Sequence, residues 1–326
     1  MKRHQLINIG IKGVILALLA YSIYRQSMGN DNIKTLQTAF AQQMESAAWG
    51  WFYFALVLMP INWLLETIKW RQLTQSFANV TLWQSLKSIL AGTTFSLLTP
   101  NRAGEYGGRL LVFPPEVRWE VVISTMVGSL SQILILISTG LGGLMIFLLQ
   151  HSQPQAIVMQ FLLVFGSIVV VLCFFCFYNI DFLVAFARRI PWLYRYKNTL
   201  RHLRLLEKYS TSQLTLSLFF AFLRYLTYTF QYYCMTMFFD LGVTWQTALP
   251  SIATIYLLQT GIPLPPLVGL LARSEIALYI WGFSTSNSLA ILASTFTLWV
   301  INLVIPALIG LIFVLQSNIT KSIGYD

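Results

Sequence analysis

The stretch SLLTPNRAGEYGGRLL, residues 96–111, decides how the rest of the chain is read. It puts Pro100, Arg102, Glu105, Arg109 and three glycines directly after a short apolar run, SLKSILAGTTF, residues 85–95. Proline lacks a backbone donor and stops the incoming helix. Glycine lets the chain turn without a Cβ penalty. The surroundings make this loop unusual. Hydrophobic residues are 56% of the chain and charged residues 10%, where a soluble domain carries about 25% charged residues. Mean hydropathy is +0.67. These values exclude an ordinary soluble domain and imply an all-α polytopic integral membrane protein. At about 20 residues per crossing, the length allows roughly six to eight crossings. No long hydrophilic stretch is left over, so residues 1–326 are expected to form a single membrane domain.

Apolar length places the spans near residues 6–24, 47–65, 119–149, 156–178, 213–239 and 288–315,. Two further helices are too short to cross, one near 88–98 and one near 247–260. Each runs into a broken segment, the quoted loop and TGIPLPPLVGLLARSEIAL at 260–278. The N-terminus is basic, then apolar with Lys12 inside, and reads as a retained first span rather than a cleaved signal.

The basic residues orient the chain. The net charge is +10, and positive residues favour the cytoplasmic side. Lys2 and Arg3, then Lys69, Arg71 and Lys87, then the connection 179–210 all share one face if both broken segments return to the side they entered. That connection carries Arg188, Arg189, Arg195, Lys197, Arg201, Arg204 and Lys208 against Asp181 and Glu207. Its stretch TLRHLRLLEKY has Leu200, Leu203 and Leu206 near one helical face, the pattern of an amphipathic surface helix. Both termini then lie in the cytoplasm. Residues 1–150 read span, span, broken hairpin, span, and residues 154–326 repeat the order in the opposite orientation. The expected fold is about six spans plus two re-entrant broken-helix hairpins in an inverted-topology repeat, an architecture that places binding sites between repeats near the membrane midplane.

The two broken segments share the same residue types, proline, glycine, a basic and an acidic residue, where a new helix opens. The first supplies Thr99, Pro100, Asn101, Arg102, Glu105 and Arg109. The second supplies Pro263, Pro265, Arg273 and Glu275. Backbone groups freed by such breaks cannot face lipid, so the loops line protein or a watery cavity. An Arg or Lys at a spanning-helix centre costs about 2.5–3.5 kcal/mol. Two readings follow. Arg102 with Glu105, and Arg273 with Glu275, neutralise one another, or the loops form a polar site for a charged headgroup. Glu66, Lys69 and Arg71 in NWLLETIKWRQL have helical spacing at a span end. They read as an interfacial anchor with i, i+3 pairing, or as headgroup contacts. Cys173 and Cys176 stand in an apolar run without a second ligand pair, which argues against a metal or redox site. No cofactor is expected. Nucleic acid is excluded as a partner, since no basic soluble domain is present.

At these loops the sequence resembles a known family. SLLTPNRAGEYGGR is similar to the T-P-x-R-x-G-E-x-x-R signature of the lysylphosphatidylglycerol synthetase/flippase transmembrane family. IPLPPLVGLLARSEIAL resembles its second signature, P-x-x-P-G-G-x-G-x-R-E, with Pro266, Leu267 and Val268 where the family places glycines. NWLLETIKWRQL resembles the basic-aromatic end of its second span. The likeness runs over nearly the whole chain. This sequence shows no soluble aminoacyl-transferase domain, so the resemblance implies the flippase-like part rather than lysine transfer. It implies a bacterial inner-membrane protein that handles an anionic phospholipid or an isoprenoid-linked glycolipid, with a lipid-modifying enzyme as candidate partner. Two other functions stay open: a membrane glycosyl- or phosphotransferase on lipid-linked substrates, and an assembly factor that transports nothing. No G-x-x-x-x-G-K-[ST] motif occurs, and the aspartates Asp31, Asp181, Asp240 and Asp326 are scattered, with no acidic cluster of the kind that holds a catalytic metal,.

Overall fold

The computed structural model describes residues 48–99, 103–152, 155–179, 203–261 and 269–317, together with residues 12–15, 17, 18, 20, 21 and 41. Among the described residues the protein is all helical, with no strand. Pro100, Asn101, Arg102, Pro263, Pro265, both termini and most of the basic connection lie outside them.

The helices in chain order are α1 (Trp49–Thr74), α2 (Leu82–Leu98), α3 (Gly104–Leu110), α4 (Arg118–His151), α5 (Ala156–Tyr178), α6 (Thr211–Phe238), α7 (Trp245–Gly261), α8 (Gly269–Trp281), α9 (Ser288–Trp299) and α10 (Ile305–Gln316). A π-helical turn, Val300–Val304, joins α9 to α10. Among the described residues four helices are long and apolar enough to cross a membrane: α1, α4, α5 and the continuous α9–α10. At 28 residues α6 also has the length, but Gln213, Arg224, Gln231 and its hydroxyls lower its hydropathy. It packs against α1, α4 and α9. Its polar residues turn toward those helices, while Leu216, Phe219, Leu226 and Phe230 stay exposed on the other face.

Capping residues set several starts. Thr81 accepts from the Gln84 amide and Gln84 returns a bond to Thr81, a capping box that opens α2,. Ser210 and Gln213 do the same for α6. α1 runs on to Thr74, through the stretch that hydropathy ends near residue 65, so Glu66, Lys69 and Arg71 extend a spanning helix rather than follow it. The expected surface helix around 200–208 is a 3-10 turn where described, Leu203–Lys208, with Leu206 buried against α4 and α6 neighbours.

Packing pairs helices from the two halves. α1 lies along α6, α2 along α10, and α7 along α4. Close approach depends on small residues, as expected where lipid removes the hydrophobic drive between helices. A Cβ on Gly310 of α10 would run into the Leu90 carbonyl of α2, and Thr94 Oγ1 donates to the Ala307 carbonyl at 2.7 Å beside it. Within the first broken segment a Cβ on Gly108 would stand 2.6 Å from the Ala91 carbonyl, so α3 folds back onto α2 backbone to backbone. The other face of the bundle is different. α5 exposes Ile157, Phe161, Ile168 and Val171 and reads as lipid-facing.

Candidate functional site

The feature that organises the interior is Glu66, 5% exposed on α1. Its carboxylate meets three cations from three helices. Lys69 Nζ is 2.7 Å away on the next turn of α1. Arg109 of α3 reaches it at 3.0 Å, and Arg224 of α6 also at 3.0 Å. Glu105 pairs with Arg109 across one turn of α3. Among the described residues three cations therefore surround two carboxylates, an excess of one positive charge. Arg109 and Lys69 are each 1% exposed.

Neighbouring groups hold each cation. Lys69 donates to the Gly128 carbonyl of α4 at 3.1 Å. Arg109 lies over the Trp70 ring at 5.4 Å and Arg224 over the Trp63 ring at 5.5 Å, contacts favourable for a desolvated guanidinium. Trp70 is pinned by its own bond to Thr125, 3.0 Å. Arg224 Nε donates to Asn62 Oδ1 at 2.9 Å, and Asn62 Nδ2 donates to Asn302 Oδ1 at 3.1 Å. Arg224 stands at the midpoint of α6, so the cluster lies deep in the bundle. Two buried donors in it, Arg109 Nε and Trp63 Nε1, have no hydrogen-bond partner among the described residues. Orphaned buried donors are uncommon and ask for an explanation.

A polar seam leads away from the cluster. Arg224 approaches Gln132 Oε1 at 3.5 Å, and Gln132 Nε2 donates to the Tyr228 hydroxyl at 3.2 Å. Tyr228 packs edge-on to Tyr256 at 4.9 Å, and the Tyr256 hydroxyl donates to the Tyr228 carbonyl at 3.1 Å. Arg273 of α8 is half-buried and near enough to Tyr256 to act on it electrostatically.

The structure thus brings together Glu66, Lys69, Glu105 and Arg109. The i, i+3 pair of Glu66 and Lys69 forms, but buried in the bundle rather than at an interface. Arg71 is apart from it, donating to the Val80 carbonyl at 2.8 Å. Thr99 serves the chain break itself, accepting from the Gly104 amide at 2.6 Å and donating to the Phe95 carbonyl. Glu275 is exposed and apart from the cluster. Sequence reasoning missed Arg224, Asn62, Gln132 and Asn302. A signal was there for Arg224, a lone charge in the middle of an apolar run and so a functional candidate by default.

The sequence model described as "Lysylphosphatidylglycerol synthase TM region" matches residues 11–310 of this chain. A comparison with curated proteins gives no match.

Proposed function

We propose, for a chain that belongs to the family of lysylphosphatidylglycerol synthase transmembrane regions, that the buried cluster binds the anionic headgroup of a lipid and carries it across the bilayer. Family membership ties the protein to membrane lipids. The observation that carries the finer reading is the charge excess: Lys69, Arg109 and Arg224 against Glu66 and Glu105, buried midway along a helix of spanning length. A buried net charge is costly unless something compensates it. A headgroup phosphate brings one negative charge and acceptor oxygens for the open Arg109 and Trp63 donors. Guanidinium groups suit it because their fork matches phosphate geometry.

In this reading the two chain breaks are re-entrant hairpins, and the halves 1–150 and 154–326 form an inverted repeat. The packing supports it, since α2 on α10 and α7 on α4 are the same contact made twice with the halves exchanged. The rest of the binding surface comes from the break residues Thr99, Pro100, Asn101, Arg102, Pro263, Pro265 and Arg273, with the tails left in the lipid. The protein sits in a bacterial inner membrane with both termini cytoplasmic.

The test is reconstitution into phosphatidylcholine vesicles with fluorescently labelled phosphatidylglycerol, scoring movement by quenching from outside. Arg109→Gln and Arg224→Gln should each slow movement at least about tenfold, the scale of one lost charge-assisted hydrogen bond, in protein that still elutes as a folded species. Movement at the unaltered rate in both variants would defeat the proposal.

A further inference from the structure

The π-helical turn Val300–Val304 has a cause in the sequence. Pro306 follows it. In a regular α-helix the proline ring would clash with the carbonyl four residues earlier and leave it without a donor. That carbonyl belongs to Asn302, inside the π turn. The extra residue of a π turn relieves the clash and changes the face that side chains present, and such turns recur at functional sites. Here the turn carries the one side chain of α9–α10 that reaches the charge cluster by a described hydrogen bond, Asn302 to Asn62.

The direction of that chain of bonds is forced. Arg224 Nε is a donor only, so Asn62 must turn its oxygen to it,. The Asn62 NH2 group then faces away and needs an acceptor, which Asn302 Oδ1 supplies. Without that acceptor the Asn62 NH2 group loses its bond and the amide is held on the Arg224 side alone, free to shift and carry the guanidinium with it.

We infer that the π turn is a positioning joint: through Asn302 and Asn62 it aims the guanidinium of Arg224 at Glu66, so the placement of α10 governs the charge site. α10 is itself locked to α2 by Gly310 against Leu90 and by Thr94 to Ala307. Lys12 Nζ adds a bond to the Leu315 carbonyl at the far end, 2.6 Å. A shift of the α2–α10 pair would therefore be felt at Arg224. Asn302 is a positioning residue and touches no lipid in this account, which rests on the headgroup reading above.

The experiment compares Asn302→Leu, Asn302→Gln and Pro306→Ala with Arg224→Gln in the same vesicles. Asn302→Leu removes the acceptor and should slow movement about tenfold, the scale of a disturbed hydrogen bond to a charged group. Asn302→Gln keeps a neutral amide acceptor and should restore most of the rate. Pro306→Ala replaces a helix breaker with the best helix former and should also slow movement, without loss of thermal stability. Unaltered rates in Asn302→Leu and Pro306→Ala, with Arg224→Gln inactive, overturn the joint and leave the headgroup site standing. Full activity in Arg224→Gln overturns the joint too, since it acts through Arg224, and full activity in Arg109→Gln as well removes the headgroup site. If Asn302→Leu does not fold, Pro306→Ala decides alone, and an unaltered rate there overturns the inference.

Discussion

In the first helix pair, α2–α3, the polar residues turn inward. Glu105 and Arg109 are one helical turn apart, so they share a face, and Glu66 of α1 meets that face from outside the pair. In the second pair, α7–α8, Arg273 and Glu275 are two residues apart and so point to different sides of α8. Arg273 is half-buried near Tyr256, and Glu275 is exposed. The buried face of α8 belongs to Ala277, Ile280 and Trp281, whose indole donates to the Tyr232 hydroxyl at 3.1 Å. Among the described residues the fully buried cations, Lys69 and Arg109, are each reached by a carboxylate. Where one is out of register, aromatic hydroxyls line the interior instead. Sharing proline, glycine, a basic and an acidic residue does not make two loops equivalent.

The hardest way to break this contrast is to remove its shared carboxylate. Glu66→Ala leaves Lys69, Arg109 and Arg224 with Glu105 alone. Taking one partner from a buried ion cluster costs about 3–5 kcal/mol, so this variant should show the largest fall in unfolding midpoint in detergent. A loss within about 1 kcal/mol, the range of exposed pairs, would mean that water already screens the cluster and that the two helix pairs differ little.

The sequence made the membrane class legible because composition and apolar length act through the lipid directly. Helix α4, read as 119–149, is Arg118–His151 in the structure, and the short helices before each break stand where apolar run and proline put them. The site was legible in part. Glu105 and Arg109 were visible as costly charges after a helix break. Glu66 and Lys69 were visible only as a pair near a span end, because hydropathy ends α1 early. It cannot register that charges inside a helix meet partners brought by α3 and α6. Arg224 was passed over although it is a lone charge in an apolar run, and its meaning depends on Glu66, 158 positions away. The Asn62–Asn302 contact, 240 positions apart, left no local mark beyond Pro306.

A smaller effect tests whether the two halves are joined alike. Gly310 of α10 meets the backbone of α2 at Leu90, while Gly143 of α4 meets the Ala253 side chain of α7. Overpacking costs about 1–3 kcal/mol. Gly310→Ala and Gly143→Ala should both lower the unfolding midpoint, and Gly310→Ala more, since its added Cβ would stand closer to the Leu90 carbonyl oxygen than that of Gly143 to the Ala253 Cβ. Equal effects would mean that the second contact is as rigid as the first.

The smallest effect bears most directly on the comparison. Glu105→Gln and Glu275→Gln make the same chemical change at matching places in the two helix pairs. At 105 the amide oxygen still accepts from Arg109, but the charge is gone and Arg109 keeps only Glu66. That should cost about 1 kcal/mol. At 275 the side chain is exposed, and the change should stay within about 0.5 kcal/mol,. The measurement is the paired shift in unfolding midpoint against the parent protein in one detergent. If Glu275→Gln destabilises as much as Glu105→Gln, Glu275 is held by a buried cation, and the second helix pair is a charged half-site like the first. If neither variant shifts, the Glu105–Arg109 pair contributes nothing net and Glu66 alone anchors the arginines.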